Sequence, residues 1–360
     1  MKETLKRWIP RPLHPPLRRL RAAFRALFGR YFAYNTRVDA ELESFTNCAN
    51  VQDLPPISRY WSDKYLIPML EPFGFTNAIE FFRIRIAEIC RAHPSETVAI
   101  ASVGAGECAP DINIAEWLLE VGIRNFSFEC LDLNPELLLR AKAAAEAKGV
   151  AGHFTFKAFD INRWKPAHDY RVILAFQSLH HVLELEALFV RIQAALHPEG
   201  LFMTDDMIGR NGHQRWPEAL RLVQELWKEL PDKYKYNHSL KRFEKEYENW
   251  DCAITGFEGI RAQDVLPLLK TYFHFDTFVV FGNVIDIFID RAFGHNFNPE
   301  NEWDRAFIDR VHAIDVAGIE SGRLKPTHIM AAMSKRPVAR TRVHKHLTPE
   351  FCVRTSREAV

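Results

Sequence analysis

The sequence predicts an α/β protein: a doubly wound sheet of seven mostly parallel strands, with a helical N-terminal cap and helical lid insertions. Short apolar runs alternate with amphipathic helical stretches over residues 95–335. Several of these runs end in glycine or aspartate, as strands do where they reach a ligand-binding edge. Strands that are separated by helices form parallel βαβ units, and this alternation therefore decides the fold class.

The predicted strands are short and regularly spaced. They cover residues 97–103, 126–131, 154–158, 172–176, 201–204, 277–281 and 327–333. The predicted helices between them cover residues 112–121, 136–148, 185–196 and 264–272. Gly149 ends the second helix, and Pro198 with Gly200 ends the third, because these residues stop a helical pattern.

The remaining segments define the predicted domain limits. These are a basic amphipathic leader (1–36), a helical cap (37–94), insertions within the sheet domain (209–263 and 284–325) and a flexible basic tail (336–360). The two insertions are long and aromatic, and we expect them to cover the substrate side. The tail is predicted to be loose because it carries no apolar period.

Composition excludes several classes of function. The chain has 360 residues, 47% of them hydrophobic, and a net charge of +1, so no global basic field favours nucleic acid. Six cysteines without paired spacing favour a cytoplasmic setting and predict no metal site. Residues 16–32 have the pattern of a basic amphipathic helix, which fits either peripheral membrane contact or packing on the protein or on a second subunit, as in a homodimer.

A glycine-containing loop follows the first predicted strand. Gly104 and Gly106 let a backbone approach a ligand without a Cβ clash. Asp132 ends the second strand, 26 residues after Gly106, where an acid binds ribose hydroxyls in nucleotide-binding sheets. Asp160 ends the third strand. Three ligand-facing positions at consecutive strand ends predict a nucleotide-like cofactor.

Residues 97–206 resemble the class I S-adenosylmethionine-dependent methyltransferases, which have a Rossmann-like fold. The glycine loop matches their first motif, residues 131–138 the second, and Phe159–Asp160 the adenine-contacting position. Residues 176–182 (FQSLHHV) are similar to the strand-four motif of the small-molecule branch, which includes sugar and quinone O-methyltransferases. The resemblance implies a methyltransferase (EC 2.1.1.-) that uses S-adenosyl-L-methionine.

The resemblance also implies the cofactor contacts. They are Ser102, Gly104, Ala105, Gly106, Glu107, Asp132, Leu133, Asp160, Ile161 and Gln177. Ser102 stands where the family usually has an acid, and we expect Glu107 to replace part of that acidic role at the methionine amino group. A dinucleotide is disfavoured because Ala109 stands where a third glycine would be needed.

Histidines and aspartates at two neighbouring strand ends are the candidate catalytic residues. His180 and His181 follow the fourth strand, and Asp205 and Asp206 end the fifth. Histidine titrates near neutral pH and suits the removal of a proton from an alcohol. In sugar O-methyltransferases with a similar motif a histidine and an acid act together, and we expect His181 to pair with Asp206. The alternative is that one histidine only caps the following helix or touches the cofactor.

The expected acceptor contacts lie beyond the fifth strand and in the N-terminal cap. They are Asp205, Arg210, His213, Arg215, Tyr60 and Trp61, of which the two aromatic residues could instead belong to the core. The leading hypothesis is methyl transfer to a small-molecule hydroxyl, on a sugar or a lipid- or nucleotide-linked glycan. The alternative is a catalytically silent cofactor-binding module that scaffolds a glycan-modifying partner.

Overall fold

The computed structural model describes Tyr34, residues 36–38, Leu42 and residues 54–166, 169–254 and 256–354. Ten strands run in chain order: β1 (Val98–Val103), β2 (Phe126–Asp132), β3 (Phe154–Ala158), β4 (Tyr170–Phe176), β5 (Leu196–Met207), β6 (Tyr236–Asn237), β7 (Arg242–Phe243), β8 (His274–Phe281), β9 (His328–Ser334) and β10 (Arg342–Val343). Eight of them form one sheet in the order β10-β8-β9-β5-β4-β1-β2-β3, and β6 pairs with β7 in a separate hairpin. The mostly parallel α/β sheet is confirmed, with one strand more than predicted.

Eleven α-helices lie within the described residues. They are α1 (Pro56–Trp61), α2 (Ile67–Leu70), α3 (Ala78–Ala92), α4 (Ala109–Glu120), α5 (Pro135–Ala147), α6 (Leu185–Ala195), α7 (Pro217–Glu229), α8 (Ala262–Tyr272), α9 (Asp286–Ile289), α10 (Glu302–Glu320) and α11 (Pro349–Cys352). A π-helical turn, Ser62–Leu66, joins α1 to α2. Capping side chains fix where several helices begin. For example, the Asn134 side chain accepts a hydrogen bond from the Glu136 N–H and caps the N-terminus of α5.

The direction of the strands places the ligand-binding edge. Strands β1 to β5 run parallel to one another, whereas β9 runs antiparallel to both β5 and β8. The carboxyl ends of β1 to β5 therefore meet at one edge. One apolar core packs on each face of the sheet. The core on one face includes buried side chains of α7 and α10, so both insertions belong to the same folded unit as the sheet.

The predicted loose tail is wrong for residues 336–354. Strand β10 pairs in parallel with β8 and forms the edge of the sheet, and Thr348 caps the short helix α11. Leu347 and Cys352 are buried in the core beside the sheet. These two buried residues are too few to produce a periodic apolar pattern in the sequence. The sequence therefore predicted a tail without structure.

The N-terminal segment reaches the ligand-binding edge. The predicted membrane-binding or subunit-binding stretch, residues 16–32, lies outside the described residues. Arg37 donates a hydrogen bond from Nη1 to the carbonyl oxygen of Ala253 at 2.7 Å, and the ring of Tyr34 lies 5.4 Å from that of Phe257. Among the described residues, no helix combines the length and the apolar character needed to cross a membrane.

Candidate active site

A cavity of about 1010 Å³ opens at the carboxyl ends of β1 to β5. The glycine loop and the ends of β2 and β3 line one half of it, and the residues after β4 and β5 with both insertions line the other. Its volume lies at the upper end of the range of about 300–1,000 Å³ that is typical of ligand pockets. The cavity therefore has room for a cofactor and an acceptor together.

The turn after β1 needs a glycine at position 104. Gly104 has φ +68°, and a Cβ there would lie 2.6 Å from the Cβ of Ser178 on the turn after β4. Both the backbone conformation and the close approach exclude a side chain. The first glycine of the motif thus brings two strand ends together at the floor of the cavity.

The two aspartates predicted to bind the cofactor, Asp132 and Asp160, both line the cavity. Asp132 accepts hydrogen bonds from the N–H groups of Gly106 and Asn134, both at 2.8 Å. Asp160 accepts one from the Asn162 N–H at 2.9 Å and one from the Tyr34 hydroxyl at 2.9 Å. These bonds fix both carboxylates at the rim of the cavity, which they line.

Glu107 and Asp111 differ sharply in environment. Glu107 lies at the rim, half-exposed, in an ion pair with Arg140 at 2.6 Å. Asp111, on the first turn of α4, is 4% exposed and lines the cavity, as Ser102 does. Burial raises the pKa of Asp111 to about 7. No ion pair forms at Asp111 within the described part of the chain, so a buried carboxylate there faces the cavity without a cation.

Asp206 organises the turn between β4 and α6. It is fully buried and accepts hydrogen bonds from the N–H groups of Ser178 and Leu179 at 2.9 and 2.7 Å. Its other oxygen lies 2.6 Å from Nδ1 of His180. The expected pairing of Asp206 with His181 is therefore wrong. The short 3₁₀ turn Leu179–His181 directs the first histidine, rather than the second, toward the aspartate.

Glu258, from the first insertion, is surrounded by three histidines, and we call these four residues the histidine–glutamate cluster. Its Oε1 lies 2.5 Å from Nε2 of His213 and 3.4 Å from Nε2 of His180. Its Oε2 lies 3.5 Å from Nε2 of His181. The backbone N–H of Gly212 donates to the carbonyl oxygen of Gly259 at 2.8 Å, which holds the two loops of the insertion together.

Charge pairing controls the protonation of the cluster. Burial alone would lower the pKa of His180, but the adjacent Asp206 and Glu258 carboxylates outweigh it and raise that pKa to about 10. Burial would raise the pKa of Glu258, yet the surrounding imidazoles hold it well below its usual range. Burial lowers the pKa of His213. The cluster therefore combines a carboxylate, a cationic imidazole and a neutral one.

A second polar group lines the far side of the cavity. Asp286 lies 3.2 Å from Nη2 of Arg215 and 3.4 Å from Nε2 of His328, and both pairs are largely buried. Asp205 accepts a hydrogen bond from Nε2 of Gln177 at 2.9 Å, and burial raises its pKa to about 6. These groups present both donors and acceptors to whatever occupies the cavity.

Most of the predicted site residues line the cavity, whereas Asp206, Tyr60 and Arg210 do not; Asp206 is fully buried behind the turn that follows β4. Those that line it are Ser102, Gly104, Ala105, Gly106, Glu107, Asp132, Leu133, Asp160, Ile161, Gln177, His180, His181, Asp205, His213, Arg215 and Trp61. Tyr60 instead donates its hydroxyl hydrogen to Asp309 on α10 at 2.9 Å. Arg210 lies over the ring of Trp216 and donates to the carbonyl oxygen of Arg215. Tyr60 and Arg210 thus have partners outside the cavity, and their contact with an acceptor stays a prediction.

The cavity residues that were not predicted include four ionisable ones on which the proposals below depend, namely Asp111, Glu258, Asp286 and His328. Asp111 had a signal that could have been read, since it follows the glycine loop by one helical turn in a chain that lacks the usual acid. Glu258 and Asp286 come from the two insertions, and His328 is the first residue of β9. No local sequence motif marks any of these three.

Comparison with known proteins agrees with this geometry. Residues 97–263 match a family model described as a methyltransferase domain. No curated protein matches the sequence.

Three solved structures illustrate the more distant similarities. The citrinin polyketide synthase CMeT domain is 23% identical over 32% of this chain, with a TM-score of 0.29, and the alignment spans only 30% of that protein. The StiE O-MT structure is 11% identical over 76% of this chain and 82% of its own, with a TM-score of 0.38. YjhP from E. coli is 11% identical over 70% of this chain and 92% of its own, with a TM-score of 0.39.

The family match covers the glycine loop, both cofactor-side aspartates and the histidine turn. The sheet that carries them has the parallel order and the carboxyl-end cavity expected of this fold. Residues 97–263 therefore have the sequence pattern and the fold of a methyltransferase domain of the class I, S-adenosylmethionine-dependent type.

Proposed function

We propose that the enzyme methylates a hydroxyl group of a small polar acceptor, such as a sugar or a lipid- or nucleotide-linked glycan. The observation that carries this proposal is the position of His181. Its Nε2 lies 3.5 Å from Glu258, and its side chain lines the cavity beside the turn that ends β4. A histidine backed by a carboxylate at this place suits the removal of a proton from an alcohol.

His181 is a better base than its neighbour on geometric grounds. The two ring nitrogens of His180 face Asp206 and Glu258, and its side chain is only 4% exposed. The side chain of His181 is 18% exposed and can meet a ligand from the cavity. Asp206 then acts as a positioning residue, because it fixes the turn that presents both histidines.

The cofactor supplies a methyl group on a positively charged sulfur, which a nucleophile can displace. His181 takes the proton from the acceptor hydroxyl as the oxygen forms its bond to the methyl carbon. The carbon–sulfur bond breaks and its electron pair stays on sulfur, so charge is neutralised in the step. Residues of both insertions line the cavity, and we expect the insertions to shield the reacting atoms from water, which would support catalysis by alignment and desolvation.

Asp111 supports the cofactor end of the proposal. We assign it to the methionine ammonium group, because it is a buried carboxylate that faces the cavity beside Ser102. The expected role of Glu107 at this group is less favourable, since its carboxylate already pairs with Arg140 at the rim. Asp132 and Asp160 remain the residues proposed for the ribose and the adenine.

The acceptor side supports a molecule rich in hydroxyl groups. Asp205, Asp286, Arg215 and His328 line this part of the cavity and combine carboxylates with a guanidinium and an imidazole. Such a mixture can accept and donate hydrogen bonds to several hydroxyls at once. A purely apolar acceptor would form no hydrogen bonds with these groups and would only remove them from water, which is costly.

The test is methyl transfer from radiolabelled S-adenosylmethionine to nucleotide sugars and to glycolipid extracts. His181→Ala should lower turnover by about 10²–10⁴-fold, the usual contribution of a general base, while S-adenosylhomocysteine binding stays unchanged. His274→Ala, an exposed histidine at the start of β8, is the matched control. Unchanged turnover in the His181 variant would remove its assignment as base.

The same assay separates the enzyme from a silent module. Tight binding of the cofactor product, with no methyl transfer to any acceptor class, would favour a cofactor-binding module that scaffolds another enzyme. Transfer to an amine rather than a hydroxyl would contradict the proposed acceptor chemistry.

A further inference from the structure

Two histidines and a glutamate converge on one point, although they come from separate parts of the chain. His180 follows β4, whereas His213 and Glu258 belong to the first insertion. One potential ligand atom from each of the three residues lies within 4.8 Å of the other two, and Nε2 of His180 and of His213 lie 3.4 and 2.5 Å from Oε1 of the glutamate. All three side chains line the cavity. Three potential ligand atoms therefore point toward a common space beside the proposed base.

We propose that His180, His213 and Glu258 bind a divalent transition-metal ion of the Zn²⁺ type, which takes the place of the proton on Nε2 of His180 and releases that proton to solvent. Two imidazoles and one carboxylate are a ligand set that suits zinc and iron(II), whereas Mg²⁺ and Ca²⁺ prefer oxygen ligands. Three protein ligands with an open position toward a cavity are typical of a metal that acts on a substrate.

The surroundings of His180 are those of a metal ligand. Metal-binding histidines usually donate their second ring N–H to a carboxylate, which fixes the orientation of the ring. Nδ1 of His180 lies 2.6 Å from the fully buried Asp206, so Nε2 is left to face the other two ligands. The backbone N–H groups of Ser178 and Leu179 hold that aspartate in place.

The spacing fits after a small movement. Two ligands about 2.1 Å from a tetrahedral metal lie about 3.4 Å apart. His180 Nε2 and Glu258 Oε1 already have this separation, at 3.4 Å. Nε2 of His213 lies 2.5 Å from the same oxygen and would have to move away by roughly 1 Å at that bond length. The glutamate can supply this movement, because its side chain is 41% exposed.

The catalytic part of this inference rests on the proposed function, whereas the metal binding itself does not. Oε2 of Glu258 faces His181, so one carboxylate would contact both the metal ion and the proposed base. A metal ion there would hold the acceptor oxygen and lower the pKa of its hydroxyl. The released proton would pass to His181, and no oxidation or reduction is involved.

A second group of potential ligands needs to be separated from this one. Cys108, Asp111 and Cys130 also approach one another, behind the glycine loop. Both thiols are fully buried, and burial raises the pKa of Cys130 well above its usual value. Neutral thiols are poor ligands, because metals bind the thiolate. This group therefore serves as the internal control of the experiment.

The experiment is titration of the chelator-treated full chain with Zn²⁺ and Co²⁺, without acceptor, by calorimetry and visible absorption. We expect one ion per chain and, for Co²⁺, an absorption spectrum typical of mixed nitrogen and oxygen ligands. His213→Ala and Glu258→Gln should each abolish stoichiometric binding. Asp206→Asn should weaken it by about 10–100-fold, as loss of a carboxylate behind a ligating histidine does.

Controls decide between the outcomes. Cys130→Ser and His274→Ala should bind as the unchanged chain does, and thermal unfolding should show that every variant is folded. Loss of binding in Cys130→Ser alone, or equal affinity for Mg²⁺ and Zn²⁺, would overturn the assignment. Failure to bind either metal would refute it and leave the methyl-transfer proposal intact, because His181 would still be tested by turnover.

Discussion

Replacement of Asp111 by asparagine should raise the stability of the protein and lower its affinity for the cofactor. The change keeps the shape of the side chain and removes its charge. Burial raises the pKa of Asp111 from 3.8 to about 7. That difference corresponds to about 4 kcal/mol of destabilisation once the group must ionise in the folded state. An uncharged side chain avoids this cost.

The sign of the pH dependence follows from the direction of the shift. Because the folded pKa lies above the unfolded value, the folded state binds the proton more tightly. The cost is absent below pH 3.8, grows as the pH rises, and is complete above about pH 7. Without cofactor, Asp111→Asn should therefore be more stable than the unchanged chain at pH 8, by up to about 4 kcal/mol. The two should converge toward pH 4.

Cofactor binding should change in the opposite direction. A hydrogen bond to a charged group contributes about 1.5–3 kcal/mol, so the affinity for S-adenosylhomocysteine should fall by about 10–150-fold. 5′-Methylthioadenosine carries no ammonium group and should bind both proteins equally. Calorimetry with the two nucleosides, and denaturant unfolding at pH 5 and pH 8, measure these effects.

A control on the neighbouring acid completes the test. Glu107→Gln should leave the affinity for S-adenosylhomocysteine within about twofold, since its ion pair with Arg140 is half-exposed and such pairs contribute little. Equal affinity of Asp111→Asn and the unchanged chain for S-adenosylhomocysteine would refute the assignment of the ammonium group.

Three further outcomes are expected. Gly104→Ala should destabilise the protein by about 1–3 kcal/mol, because the residue has a positive φ and the new Cβ would lie 2.6 Å from the Cβ of Ser178. Denaturant unfolding measures this loss, and Gly152→Ala, which has open space around it, should leave the unfolding midpoint unchanged. Asp206→Asn should lower stability by about 1–3 kcal/mol, since it weakens buried hydrogen bonds; an unfolding midpoint equal to that of the unchanged chain would contradict its role in the turn. Tyr34→Phe removes the hydroxyl bound to Asp160 and should speed dissociation of S-adenosylhomocysteine in stopped-flow measurements, with stability unchanged.

The cofactor half of the site could be predicted because its signals are local. Gly104, Asp132 and Asp160 each stand at the end of a short apolar run, and strand ends of a parallel sheet meet at one edge. Their positions relative to each other follow from the sheet, so no tertiary information was needed. The alternation of strands and helices was sufficient to predict the fold class, because it too is a local pattern of the sequence.

The catalytic half could not be predicted in the same way. Glu258 meets His180 across 78 residues of sequence, through an insertion whose path no motif indicates. The wrong pairing of His181 with Asp206 has a similar cause. Adjacent residues in a tight turn point in different directions, and the sequence does not show which one faces the neighbouring strand.

The contacts of the N-terminal segment have a consequence for turnover. Tyr34 binds Asp160 at the adenine end of the cavity, while Arg37 binds the carbonyl oxygen of Ala253 in the first insertion. One short stretch of chain thus connects Asp160, which we proposed for the adenine, with the first insertion, and release of the nucleoside at this place would require these bonds to open. Product release limits the rate of many enzymes that close over their ligands. We therefore expect changes near the start of the chain, including fused tags, to alter the rate of exchange even though they lie far from the reacting methyl group.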